Sequence, residues 1–112
     1  MAAPHVAGGL ALMKQGHPDW TAQELEAVLV NTARTSLFTT TLVSPTFTPA
    51  PVSRVGAGRL DLVAAAKADT VVLGNLLANV GLGFQPVTQA TTLTKTITIE
   101  NKSARPEISR VR

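Results

Sequence analysis

Residues 2–15 leave almost no polar face for water. Ala2, Ala3, Val6, Ala7, Leu10, Ala11, Leu12 and Met13 fall all round a helical turn. A helix that is apolar on every side belongs in the interior of a larger protein. Pro4 is compatible with helix only in the first turn, where its missing N–H is not needed. The helix therefore starts at or just before Met1. Gly8-Gly9 would each weaken it by about 1 kcal/mol relative to alanine, so close packing of another backbone against this side is expected. Gly16 suits a C-cap, and Pro18 prevents continuation. Any fold that contains this segment must cover it.

The next elements carry stronger local signals. Thr21 and Glu24 form a T-x-x-E capping box for a helix over residues 21–33, with Trp20 and Leu25 placed for a hydrophobic staple. Leu25, Val28, Leu29 and Thr32 repeat at helical spacing, so one face is buried. Residues 34–55 are rich in Thr, Ser and Pro. Pro45, Pro49 and Pro51 exclude helix there, and a short strand fits residues 39–43. Gly56-Ala57-Gly58 makes a turn, after which Asp61 can cap a short helix over residues 62–68. Beyond Asp69 the composition changes. Residues 70–73 suit a strand, and residues 74–83 a linker or loose strand. Over residues 91–100, Leu93, Ile97 and Ile99 alternate with Thr94, Thr96, Thr98 and Glu100, the pattern of a half-buried strand. Asn101-Lys102-Ser103 turns the chain, and residues 107–111 suit a return strand.

Order and identity of these residues carry a family resemblance. Met1-Ala2-Ala3-Pro4-His5-Val6-Ala7-Gly8 resembles the start of the helix after the nucleophile in subtilisin-like serine proteases, whose signature reads Gly-Thr-Ser-Met-Ala-(Ala/Ser)-Pro-His-Val-Ala-Gly. His17-Pro18-Asp19-Trp20-Thr21, Asn31-Thr32-Ala33 and Gly56-Ala57-Gly58-Arg59-Leu60-Asp61 resemble later steps of that domain, in the family's order. The resemblance implies an α/β parent with a parallel sheet. Residues 1–69 would be the C-terminal end of its catalytic domain, mainly helical over 1–68. Residues 70–112, β-rich, would be a linker and a truncated fibronectin-III-like domain, a partial β-sandwich. It also implies peptide-bond hydrolysis by a Ser-His-Asp triad in the parent, polypeptide substrates, a secreted or cell-envelope location, and calcium as a possible ligand of the parent.

In this chain the resemblance places no catalytic residue. The nucleophilic serine would immediately precede Met1, with the aspartate and histidine further upstream, so the chain alone is expected to be inactive. His5 is read as a packing residue of the post-serine helix, and His17 as a turn residue. Two histidines twelve apart, without a Glu-x-x-His spacing, do not suggest zinc. Ser36, Ser44 and Ser53 lack a G-x-S-x-G elbow. Asp19, Asp61 and Asp69 suit caps and turns. Gly56-Ala57-Gly58 lacks the rest of a dinucleotide fingerprint. Asn101-Lys102-Ser103 matches a glycosylation sequon, a common triplet.

Composition narrows the alternatives. The chain has no cysteine, which excludes disulfides and thiol chemistry, and one Trp, three Phe and no Tyr, too few for base-stacking platforms. A net charge of +3 is spread along the sequence, and Glu107 interrupts the only basic grouping, Lys102, Arg105, Arg110 and Arg112. No nucleic-acid partner is expected. No apolar run reaches the roughly 18 residues of a membrane span, and no signal peptide is visible. The competing reading is a protein-binding or adhesion module that uses the β-rich tail, whose strand edges could pair with another chain. For the isolated 112 residues, exposed apolar surface and marginal stability are expected.

Overall fold

Three helices and one strand meet in one small apolar cluster. The computed structural model describes residues 2–40, 46–74, 78–82 and 85–108. Helix α1 spans Ala2–Gly16 and α2 spans Ala22–Asn31. A two-residue pair follows, β1 (Phe38–Thr39) against β2 (Thr48–Pro49), antiparallel. Two short helices come next, α3 (Val52–Val55) and α4 (Leu62–Ala66). Strands β3 (Thr70–Gly74) and β4 (Ile97–Asn101) then pair antiparallel, with Val72 opposite Ile99. Met13 of α1, Leu25, Ala27, Val28 and Leu29 of α2, Ala65 of α4, Val71 of β3 and Ala78 form the buried cluster. The described residues are thus mixed helix and strand, and Val71 shares a core with Val28 across the composition change at Asp69.

Local signals explain the helix ends. The Thr21 hydroxyl accepts the Glu24 N–H, and the Glu24 carboxylate accepts the Thr21 N–H at 2.6 Å, so the capping box is complete. α2 closes at Thr32, earlier than the spacing suggested, with the Thr32 hydroxyl donating to the Val28 carbonyl at 2.7 Å. Trp20 packs against the cluster that contains Leu25. The Asp61 carboxylate accepts the Ala64 N–H at 3.0 Å and starts α4.

α1 carries the exposed apolar surface expected of these residues alone: Gly9 and Met13 are its buried residues, and Leu12 is 60% exposed. Other expectations are corrected. Close packing occurs at Gly9 alone of the two glycines. It comes from side chains rather than backbone: a Cβ there would lie 3.0 Å from Leu60 and Leu62 Cδ2. Gly16 does not end α1 in the left-handed region, since Gly56 and Gly58 are the positive-φ glycines. The end is closed by the His17 N–H on the Met13 carbonyl and by Lys14 Nζ, which donates to the Pro18 and Trp20 carbonyls. α3 forms where the prolines argued against helix, because Pro51 stands just before its first turn and sets the chain direction there.

The expected strand over residues 91–100 shrinks to Ile97–Asn101, and Ile97 and Ile99 lie on its open side. Residues 107 and 108 are not strand, and residues 109–111 of that expectation lie outside the described residues. Of the strand expected over 39–43, Thr39 is in β1, Thr40 is not strand, and residues 41–43 lie outside.

Candidate functional site

Three places bring chemistry-bearing residues together: the start of α1, the backbone bridge between the stretch after α2 and the stretch before α4, and a group of charges around Lys102. At the first, the helix opens with Ala2, Ala3, Pro4 and His5, all exposed. The first N–H groups of a helix have no partner within it and give that end a partial positive charge. Such an end can stabilise a neighbouring anion or oriented nucleophile, but supplies none itself. One turn on, Val6 and Leu10 form with Leu29, Val30, Ala33, Gly58 and Leu60 an open apolar groove of about 190 Å³.

The second place is a backbone clasp. Arg34 and Arg59 exchange two hydrogen bonds of 2.9 Å, forming an isolated antiparallel bridge. The bridge requires Gly58, whose φ is +117° and whose would-be Cβ falls 2.6 Å from the Arg34 carbonyl oxygen. Arg34 Nε then donates to Asp61 Oδ2 at 2.6 Å. The N–H of Ala64, with Arg34 beside it, holds the Asp61 carboxyl below its ordinary value. Gly56-Ala57-Gly58 serves turn geometry here.

A third group of charges was invisible locally. Lys102 Nζ pairs with Glu24 Oε1 and, at 2.7 Å, with Glu100 Oε2. Seventy-eight positions separate Lys102 from Glu24, so no spacing rule reveals the pair. The Lys102 ammonium, then the Thr21 N–H, hold the Glu24 carboxyl down to about 2 from its ordinary 4.5. The folded state therefore favours the ionised form. Its contribution to stability is complete above about pH 4.5 and declines as pH falls toward about 2. Urea midpoints measured from pH 5 to pH 2.5 should fall more steeply for the natural chain than for Glu24→Gln; parallel curves would refute this.

The other singled-out residues separate in space. The His17 ring stacks on Trp20 with centroids 4.1 Å apart, a packing role. His5 stands on the exposed start of α1. Ser36 lines an exposed hollow with Arg34 and Arg59, and Ser53 is exposed on α3. Met1 and Ser44 lie outside the described residues. Asp19 and Asp69 are exposed, and the Asp69 carbonyl accepts the Lys102 N–H. The Asn101 carboxamide oxygen accepts from the Ser103 N–H and hydroxyl, while its NH₂ donates to the Arg105 carbonyl at 2.7 Å. Among the described residues no group of three His, Asp or Glu could hold a metal ion. No helix there is long and apolar enough to cross a membrane.

Comparison with known proteins supplies what the isolated geometry does not. The model of the subtilase family matches residues 1–99. The minor extracellular protease Vpr of Bacillus subtilis (strain 168) is 33% identical over 110 residues, which cover 93% of this chain and 12% of that protein. The subtilisin-like proteases SBT1.9 and SBT1.5 of Arabidopsis thaliana are 51% and 49% identical over 35 residues, 31% of this chain and 5% and 4% of theirs. The chain thus spans a small part of the relatives it matches. No solved structure matches it. With the family pattern covering both α1 and the clasp around Gly58, the chain belongs to the subtilase family.

Proposed function

We propose that residues 1–69 are the C-terminal end of the catalytic domain of a subtilisin-like serine endopeptidase, and that the chain by itself hydrolyses nothing. The parent would cleave polypeptides through a Ser-His-Asp triad contributed by residues ahead of α1. The observation that carries this reading is the family match over residues 1–99, which includes the whole of α1. The printed description of its relative Vpr as extracellular supports secretion of the parent, with cell-envelope attachment as the alternative.

The experiment pairs two preparations. The 112-residue chain is assayed for casein hydrolysis and for labelling by a fluorophosphonate probe. The same chain is then fused behind a segment that supplies the Asp, the His and a terminal Gly-Thr-Ser. The chain alone should give neither signal, and the fusion should give both. Labelling of a serine in the chain alone would overturn the proposal.

For residues 70–112 we propose the opening of a fibronectin-III-like β-sandwich. The antiparallel β3–β4 pair supports it, as does the open side that carries Val72, Ile97 and Ile99, which a second sheet could cover. The same open side is the feature that favours the alternative reading, protein binding by the β-rich tail.

A further inference from the structure

Strand β4 faces the opposite way from what its composition favours. In an antiparallel pair, directly opposite residues share one face. Val71 is buried against α2 and stands opposite Glu100, and Leu73 stands opposite Thr98. The α2 side of β4 therefore carries Thr98 and Glu100. The outer side carries Ile97 and Ile99, which remain 47% and 48% exposed. A slip of one residue would exchange the two sides. It would bring two isoleucines toward α2 and send Thr98 and Glu100 to water, which apolar burial favours. Some other interaction holds the observed register.

β3 is not the strand free to slip. Val71 is fully buried, and Asn31 Nδ2, at the end of α2, donates to the Val72 carbonyl at 3.0 Å. β4 is tied at its C-terminal end. The Lys102 N–H donates to the Asp69 carbonyl at 2.6 Å, extending the pairing one step past Asn101. Lys102 lies on the same side of the strand as Glu100 and Thr98, so its ammonium reaches α2. There Glu24 is already fixed by the Thr21 N–H and hydroxyl, at 2.6 and 2.9 Å. An ion pair between freely moving surface chains contributes little. Here one partner is pre-positioned by a helix cap, and Glu100 holds the ammonium from the second side.

We propose that Lys102 sets the register and facing of β4, by pairing with Glu24 at the start of α2 and so keeping Ile97 and Ile99 outward. After a one-residue slip the Lys102 side chain would stand on the outer face, out of reach of Glu24. The residue that fixes the strand is thus a cation beyond its end, and the strand's own apolar pattern opposes it.

Cross-linking in the full chain tests this, because the natural sequence has no cysteine. Val72→Cys/Ile99→Cys places two thiols directly opposite each other in the observed register. Val72→Cys/Thr98→Cys and Val72→Cys/Glu100→Cys do so only after a slip in one direction or the other. With Lys102 present, the first pair should oxidise readily and the other two slowly. Lys102→Ala should slow the first pair about fivefold, the size of one half-buried ion pair, and speed one of the slipped pairs. Lys102→Arg should retain the original preference. Unchanged cross-linking in Lys102→Ala would overturn the proposal. So would loss of all three cross-links, which signals unfolding rather than a slip, or failure of the first pair in the Lys102 background.

Discussion

Gly58→Ala is expected to destabilise the chain by about 3 kcal/mol. The cause is local and twofold. At φ +117° an L residue is strained, and the added Cβ would meet the Arg34 carbonyl oxygen at 2.6 Å and its carbon at 2.9 Å. Neither atom can yield cheaply, because both belong to the backbone that exchanges two hydrogen bonds with Arg59. Relief of the clash means breaking that bridge and moving Asp61 away from Arg34. Gly8→Ala is the matched control. Gly8 has nothing within 4 Å of a would-be Cβ and lies inside α1. That change should raise stability by about 0.5–1 kcal/mol. Urea unfolding followed by circular dichroism compares the three chains. Equal midpoints for Gly58→Ala and the natural chain would disprove the role given to the clasp.

Leu25→Ala is expected to cost about 3 kcal/mol, within the range for truncating a buried leucine. Leu25 is 4% exposed and shares the cluster with Val28 and Met13. For a core in which eight small and medium side chains are buried among the described residues, that loss approaches the whole stability of a small domain. The expected observation is disappearance of the cooperative thermal transition. Leu12→Ala on α1 provides the contrast. Leu12 is 60% exposed, so its truncation in this chain should change stability by less than about 0.5 kcal/mol. Similar melting curves for the two variants would show that the cluster is not what holds the chain.

The comparison of these two leucines shows what the sequence could and could not tell. Leu12 and Leu25 look alike in composition and helical spacing, yet one packs and one does not. α2 was legible because its determinants are local: Thr21, Glu24 and Trp20 lie within five residues of one another. The start of α4 was legible for the same reason, through Asp61 and Ala64. The packing of α1 was not, because Gly9 and Met13 are buried through contacts with distant residues such as Leu60 and Leu62, which no local spacing reveals. The clasp was half legible. Gly56-Ala57-Gly58 announced a turn, but the partner Arg34 lies in a distant stretch. Lys102 looked like one basic residue among four near the end of the chain. Its role depends on Glu24, which sequence reasoning had already assigned to the capping box. The facing of β4 was misread because alternation tells which residues share a side and not which side is turned inward.

The clasp has one more consequence. Arg34 and Arg59 meet across the base of the intervening stretch, and the Ala50 N–H adds a second rung on the Leu37 carbonyl at 2.8 Å. The two ends of that excursion are thereby anchored independently of what lies at its tip. Lengthening a loop whose ends are fixed is thermodynamically cheap, about 0.6 kcal/mol for each doubling. Evolution can therefore add or delete residues between Thr39 and Thr48 without renegotiating the helices on either side.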